Sequence, residues 1–255
     1  MNKAVLVKNF SKYAGTYDAH TDIQNKAAEI LMEILPDNDV NSILEIGCGT
    51  GNYTVLLRKR FGSSRIRAID ISGEMVAVAK EKICDAKVDF MVQDAEEMGF
   101  EYPYDLITSN AAFHWFGDLE NIIKKSALSL SRFGGILAFS SFGPGTFAEL
   151  KASLKAAVGK DLTVASDSFP AKRHIDGMLK KYFGKVRIDE KAIKETYPSI
   201  EELLKNIKYS GTRGAGSNPR RVWSPGLLDR IEQEYLKRFG KIEATYQIFF
   251  CEAMK

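Results

Sequence analysis

"LEIGCGTG", residues 44–51, sets three glycines (Gly47, Gly49, Gly51) into five positions directly after the apolar run "SILEI" (42–46). The next residues, "NYTVLLRKRF", have helical character, so the segment is a strand, a glycine turn and a helix. A dinucleotide fold would place G-x-G-x-x-G here, with a pyrophosphate resting on the helix amino terminus. The third glycine comes one residue early for that pattern. Which ligand the loop holds is therefore open at this point.

Outward from the loop, strand and helix patterns alternate. On the amino-terminal side, "TDIQNKAAEILMEIL" (21–35) spaces Ile23, Ala27, Ile30 and Ile34 along one helix face, and Pro36 ends it. On the other side come "RIRAID" (65–70) as strand, "GEMVAVAKEKI" as helix, and "VDFMVQ" (88–93) and "YDLITSN" (104–110) as strands. "LENIIKKSALSL" as helix and "GILAFSSF" (135–142) as strand complete the series. Repeated β-α units predict a parallel sheet with helices on both faces.

Beyond residue 145 the pattern becomes mainly helical, in "TFAELKASLKAAV", "DGMLKKYF", "SIEELLKNI" and "GLLDRIEQEYLKRF", with "KVRIDEKAIKETY" strand-like among them. "YSGTRGAGSNPRRVWSPG" (209–226) reads as a long loop. "IEATYQIFF" (242–250) alternates apolar and other residues and predicts a final strand that returns to the sheet. Charge is divided unevenly. Lys and Arg number 15 against 20 Asp and Glu up to residue 150, and 21 against 13 after it. The basic second part suits an acidic partner, a protein or a nucleic acid, or simply a solvated surface.

At 255 residues and 45% hydrophobic composition the chain is long enough for one large domain with an appended part. Cys48, Cys84 and Cys251 form neither a CxxC pair nor a disulfide framework, which fits a reducing compartment. No secretory core segment opens the sequence and no run reaches membrane-spanning length, so a cytoplasmic location is expected. His20, His114 and His174 lack ligand spacing, and no metal is expected.

Glu45 narrows the ligand. It sets a carboxylate at the strand end, beside the place a phosphate would occupy, and burial strengthens the repulsion between like charges. A phosphate-free ligand with an ammonium group and a cationic sulfur meets the opposite field. S-adenosylmethionine is such a ligand, and glycines let the backbone approach it closely. Asp70 ends the next strand, where an acidic residue can accept both ribose hydroxyls. Asp94 ends the third strand and could accept from the adenine amino group.

With these motifs in order on successive strand ends, residues 20–142 resemble class I S-adenosylmethionine-dependent methyltransferases. The resemblance implies a Rossmann-like α/β fold: a seven-stranded, mostly parallel sheet with helices on both faces, one strand antiparallel near an edge, and helical insertions after the fifth strand. It implies that Glu45, Gly47, Cys48, Gly49 and Gly51 surround the methionine part of the cofactor. Asp70 would hold the ribose, Asp94 and Ala95 the adenine, and Ile71 and Met75 would flank them. "SNAAFHW" (109–115) matches the segment beside the sulfonium, so Asn110, His114 and Trp115 would border the reacting methyl. The expected division is 1–145 as the donor-binding core with an amino-terminal cap, 146–240 as acceptor-side helical insertions, and 241–255 as the returning strand.

"FSKYAGTYDAHTDIQNKAAEIL", "SSFGPGTFAELKASL" and "GLLDRIEQEYLKRFGKIEATYQIFF" resemble the malonyl-[acyl-carrier-protein] O-methyltransferases of biotin synthesis. His20 and Thr21 depart from that family, where small residues are more usual. The resemblance implies methylation of the free carboxylate of a malonyl thioester on acyl carrier protein. Such an acceptor is already ionised near pH 7 and needs no general base, leaving alignment and water exclusion as the enzyme's task. Tyr13 and Tyr17 would lie on the segment covering the cofactor, and Tyr17, His114 and Trp115 are pocket candidates. Arg173, Arg213, Arg220 and Arg221 are candidates to pair with the acceptor carboxylate or the carrier protein. Three other readings remain open: a small free carboxylic acid or other metabolite as acceptor, a nucleic-acid methyltransferase, and a cofactor-binding regulator without turnover.

Overall fold

The structure, a computed structural model, describes residues 3–37, 40–100, 103–132, 134–159, 163–211 and 224–255. Its centre is a seven-stranded sheet of order β3-β2-β1-β4-β5-β7-β6. The strands are β1 (Ser42–Ile46), β2 (Arg65–Asp70), β3 (Val88–Val92), β4 (Leu106–Ser109), β5 (Ile136–Phe142), β6 (Lys185–Tyr197) and β7 (Ile242–Met254). Neighbours from β3 to β5 pair in parallel, whereas β7 lies antiparallel between β5 and β6. One strand thus runs against the other six, and the expected α/β class and strand directions hold.

Helices α1 (Lys3–Tyr13), α2 (Asp22–Ile34), α3 (Asn52–Arg60), α4 (Gly73–Lys82) and α5 (Leu119–Ser129) precede β5. After it come α6 (Ala148–Val158), α7 (Lys172–Lys180), α8 (Ile200–Tyr209) and α9 (Pro225–Phe239), with β6 between α7 and α8. None among the described residues is long and apolar enough to cross a membrane.

Period-two alternation buries both faces of the sheet. Ile43 of β1, Ala138 of β5 and Ile248 of β7 pack with Leu31 of α2, Leu57 of α3 and Tyr235 of α9. Leu44 and Ile46 of β1, Phe139 of β5 and Cys251 of β7 face the other way, onto Ile122 of α5 and Leu179 of α7. Local chemistry sets the helix ends. Ser72 caps α4 by accepting the Met75 N–H, and Asp118 caps α5 by accepting that of Asn121. Gly240, at φ 72°, ends α9.

The amino-terminal cap takes a form that no sequence pattern predicts: "FSKYAGTYDAH" spans the end of α1 and a 3-10 turn, Ala14–His20. Asp18 straps that turn to the glycine loop, accepting from Thr50 Oγ1 at 2.5 Å, Asn52 at 3.1 Å and Lys82 at 2.7 Å. His20 and Thr21, which depart from the family's small residues, have local roles. His20 stacks on Tyr209 with ring centroids 4.9 Å apart, and buried Thr21 donates from its hydroxyl to the Asp18 carbonyl.

Because β1 lies between β2 and β4, the chain leaves the sheet in opposite directions there, and a crevice opens beyond the strand ends.

Candidate active site

The crevice is a pocket enclosing about 780 Å³, counted out to its open mouth. Its wall comes from the segments that succeed four adjacent strands, roofed by α1 and the 3-10 turn. Of the expected cofactor residues, Gly47, Gly49, Asp70, Ile71, Met75, Asp94, Ala95 and Asn110 line it, as do Tyr17 and Trp115.

The loop after β1 is folded by its own amides. The Gly47 and Cys48 N–H groups donate to the Ile69 carbonyl at 2.8 and 3.0 Å, and Gly49 donates to Asp70 Oδ2 at 2.9 Å. Asp70 Oδ1 accepts the Ser72 N–H at 2.9 Å. Each Asp70 oxygen keeps a lone pair for a ligand hydroxyl. At Gly47, φ is +75° and a Cβ would stand 2.5 Å from that of Ala112, so glycine alone fits. Gly51 lies behind the pocket. A Cβ there would sit 3.3 Å from Ala79 and Ile83, so its function is close packing of the loop on α4.

Two more expected residues stand behind the wall. Cys48 is buried in the core beside α3, and burial raises its thiol pKa well above the ordinary range, helped by the charges of Asp70 and Glu45. It is an inert spacer. Glu45 is 1% exposed, and neither carboxylate oxygen has a hydrogen-bond partner. Burial pushes its pKa up to about 8, with Asp70 adding to the shift. The Thr54 hydroxyl offsets part of this without reaching hydrogen-bonding geometry. The strand's alternation explains the placement: Glu45 shares the Ile43 face, towards α3, while Ile46 meets the pocket.

At the far end, Asp94 accepts from Lys3 at 2.6 Å and from the Glu96 N–H at 2.9 Å. Lys3 also pairs with Glu96 at 2.8 Å. The cation in this wall is thus matched by two carboxylates. With Asp70 beside it the lining is acidic, which disfavours phosphate and suits a positively charged ligand. Sequence reasoning missed Lys3, Phe10 and Glu96. No local pattern signals them, because α1 is placed by its packing on α4 and the 3-10 turn.

The segment after β4 is held tightly. Ala111 adopts φ 53° and donates to Ser140 Oγ at 2.8 Å. Ser140 donates to Asn110 Oδ1 at 2.6 Å, and Asn110 Nδ2 donates to the Gln24 carbonyl at 2.9 Å. A left-handed alanine over-determined in this way is stored strain beside the pocket. Trp115 and Tyr17 both pack edge-on against Phe10, with centroids 6.2 Å apart. Burial, with Asp70 and Asp18 nearby, raises the Tyr17 pKa, so it stays a neutral phenol.

His114 faces away from this pocket, into a second groove. Burial pushes its pKa down to about 3, and it is neutral at pH 7. Tyr13 packs on Tyr209 with centroids 4.9 Å apart. Arg173 is exposed on α7, away from the donor pocket, and Arg213, Arg220 and Arg221 lie outside the described residues.

The residues present fit S-adenosylmethionine. An unpartnered buried carboxyl lies under the loop, the Gly47 cradle has no room for a Cβ, and Asp70 retains diol-accepting capacity. The fold and this site define a Rossmann-like, class I S-adenosylmethionine-dependent methyltransferase. A family model described as a methyltransferase domain matches residues 43–134. Over its whole length the chain is 37% identical to malonyl-[acyl-carrier protein] O-methyltransferase of Priestia megaterium, covering 98% of that protein. It is 34% identical to the protein so named in Acetivibrio thermocellus, covering 95%. The chain belongs to the malonyl-[acyl-carrier protein] O-methyltransferase family and is an S-adenosylmethionine-dependent O-methyltransferase.

Solved structures agree on the fold. The YcgJ protein from Bacillus subtilis has TM-score 0.63 at 15% identity, covering 90% of this chain and 98% of that one. Phosphoethanolamine N-methyltransferase 2 of Haemonchus contortus, in complex with S-adenosyl-L-methionine, has TM-score 0.61 at 20% identity, covering 95% and 57%.

Proposed function

We propose that the chain methylates the free carboxylate of a malonyl thioester carried on acyl carrier protein, an early step of biotin (pimeloyl) synthesis in the cytoplasm. The observation that carries this reading is the full-length likeness to relatives so named, which extends beyond the donor core through the acceptor-side residues.

When bound, S-adenosylmethionine supplies a methyl carbon made electrophilic by the attached sulfonium, with a neutral thioether as leaving group. The chain's residues bind and align. Glu45 from beneath the loop and the closely approaching backbone of Gly47 and Gly49 receive the amino-acid end, Asp70 the ribose and Asp94 the adenine. Ile71, Met75 and Ala95 provide the apolar walls. Asn110, locked by Ser140, fixes the segment beside the reacting carbon, while Phe10, Tyr17 and Trp115 exclude water there. A carboxylate needs no proton removed, and neutral His114, whose Nδ1 accepts the Phe142 N–H, fits a site without a general base.

In this reading residues 1–145 bind the donor, 146–240 shape the acceptor side, and 241–255 return to the sheet. The basic second part and Arg173 suit an acidic carrier protein. Mass spectrometry of malonyl carrier protein incubated with the enzyme and S-adenosylmethionine tests this. A gain of one methyl on the acyl group is expected. Labelling of free acids alone would overturn the carrier-bound acceptor.

A further inference from the structure

A groove lies on the opposite side of the Phe113–Trp115 turn from the donor pocket, between the start of α5 and α7. Phe113, His114 and Phe116 line one side, and Pro170 and Met178 the other, around about 910 Å³ counted to the open mouth. It adjoins the donor pocket. Phe116 belongs to both walls, and Trp115, the residue after His114, lines the donor side.

His114 is 2% exposed, with its ring held among Trp115, Phe142 and Phe169 at centroid distances of 4.7, 4.9 and 4.5 Å. Nδ1 accepts the Phe142 N–H at 3.3 Å, so the proton of the neutral ring sits on Nε2. That N–H is buried and has no partner. Leaving such a donor unsatisfied is costly, and a ligand carbonyl would recover the loss. The groove's acids are already engaged: Asp118 caps α5, and Glu120 accepts from Lys181 at 2.8 Å and Tyr182 at 3.1 Å. Their negative charge disfavours a carboxylate in the groove and tolerates a neutral acceptor of hydrogen bonds.

We propose that this groove holds the neutral, amide-bearing thioester arm of the methyl acceptor, a small shift of the wall on binding bringing the buried His114 Nε2–H to a carbonyl oxygen of that arm. The inference rests on the carrier-bound malonyl reading. The acceptor lies across Phe116, its carboxylate beside the donor pocket and its arm leaving past α7. Exposed Lys172 and Arg173 immediately precede His174 of the groove wall, where the arm emerges towards its carrier.

Initial rates for Met178→Trp, His114→Phe and His114→Gln decide the matter, using malonyl carrier protein and a short S-methyl malonyl thioester that lacks the arm. Met178→Trp fills the groove. It is expected to lower the ratio of kcat/KM for the carrier-bound over the short thioester by about tenfold, through KM. His114→Phe should do likewise, and His114→Gln, which keeps an N–H donor, should recover part of the ratio. Donor affinity by calorimetry checks that each variant is folded. A ratio within twofold of wild type in both Met178→Trp and His114→Phe overturns the proposal. Wild-type enzyme that methylates neither thioester overturns the acceptor reading itself, and the groove's occupant with it.

Discussion

A carboxyl buried with both oxygens unpaired holds its proton, and burial sets Glu45 in that position. Its pKa rises from the ordinary 4.5 to about 8 in the folded chain. Between those values the unfolded chain loses a proton that the folded chain keeps, so stability is full below the lower value, falls as pH rises, and is lost above the higher one. Glu45→Gln should therefore gain in Tm over wild type on going from about pH 5 to about pH 9. A cationic ligand above the loop favours the ionised form. Donor binding near neutral pH should release a proton, read as a buffer-dependent calorimetric enthalpy, and Glu45→Gln should lose that release. The glycines separate by what their missing Cβ would meet. Gly47→Ala collides with Ala112 and should abolish measurable donor binding, whereas Gly51→Ala presses on α4 and should lower Tm with donor affinity largely kept.

Among the elements, α1 couples donor and cap. Lys3 is 40% exposed, and its pairs with Asp94 and Glu96 add little to stability, under about 1 kcal/mol. Phe10 touches Tyr17 and Trp115 over the pocket, and a Cβ on Gly211 would fall 2.0 Å from its ring. Phe10→Ala should weaken donor binding about tenfold by calorimetry, roughly one buried aromatic contact, with a smaller effect on Tm. The elements most legible in the sequence were those whose own residues carry a period. β1, β2 and β6 fall where alternation or unbroken apolar runs placed them, and β7 runs four residues beyond its predicted end because Cys251 and Ala253 still pair with β5. α1 was illegible because its place depends on contacts with α4 and the aromatic roof, which no local pattern announces. At the site, residue types at strand ends were readable. The face on which Glu45 and His114 lie depended on packing that sequence does not state.

For the whole molecule, the acidic donor side and the basic second part predict electrostatic capture of an acidic carrier. KM for malonyl carrier protein should rise several-fold between low and physiological salt while KM for S-adenosylmethionine changes little, as measured by initial rates. β7 joins the two parts. It pairs with β5 from Ile136 to Phe142 and with β6 along all of Lys185–Tyr197. Removing residues 242–255 should leave no cooperative thermal transition by circular dichroism.

That same strand governs the order of assembly. β5 and β7 are separated by about a hundred residues, and among the described residues β6 has its ladder only through β7. Both neighbours therefore expose open, hydrogen-bond-hungry edges until the last strand docks. Closure of the sheet should be the slow phase of refolding, and partly folded chains should associate through these edges at high concentration. The donor half would then gain its native hydrogen-exchange protection before the acceptor half.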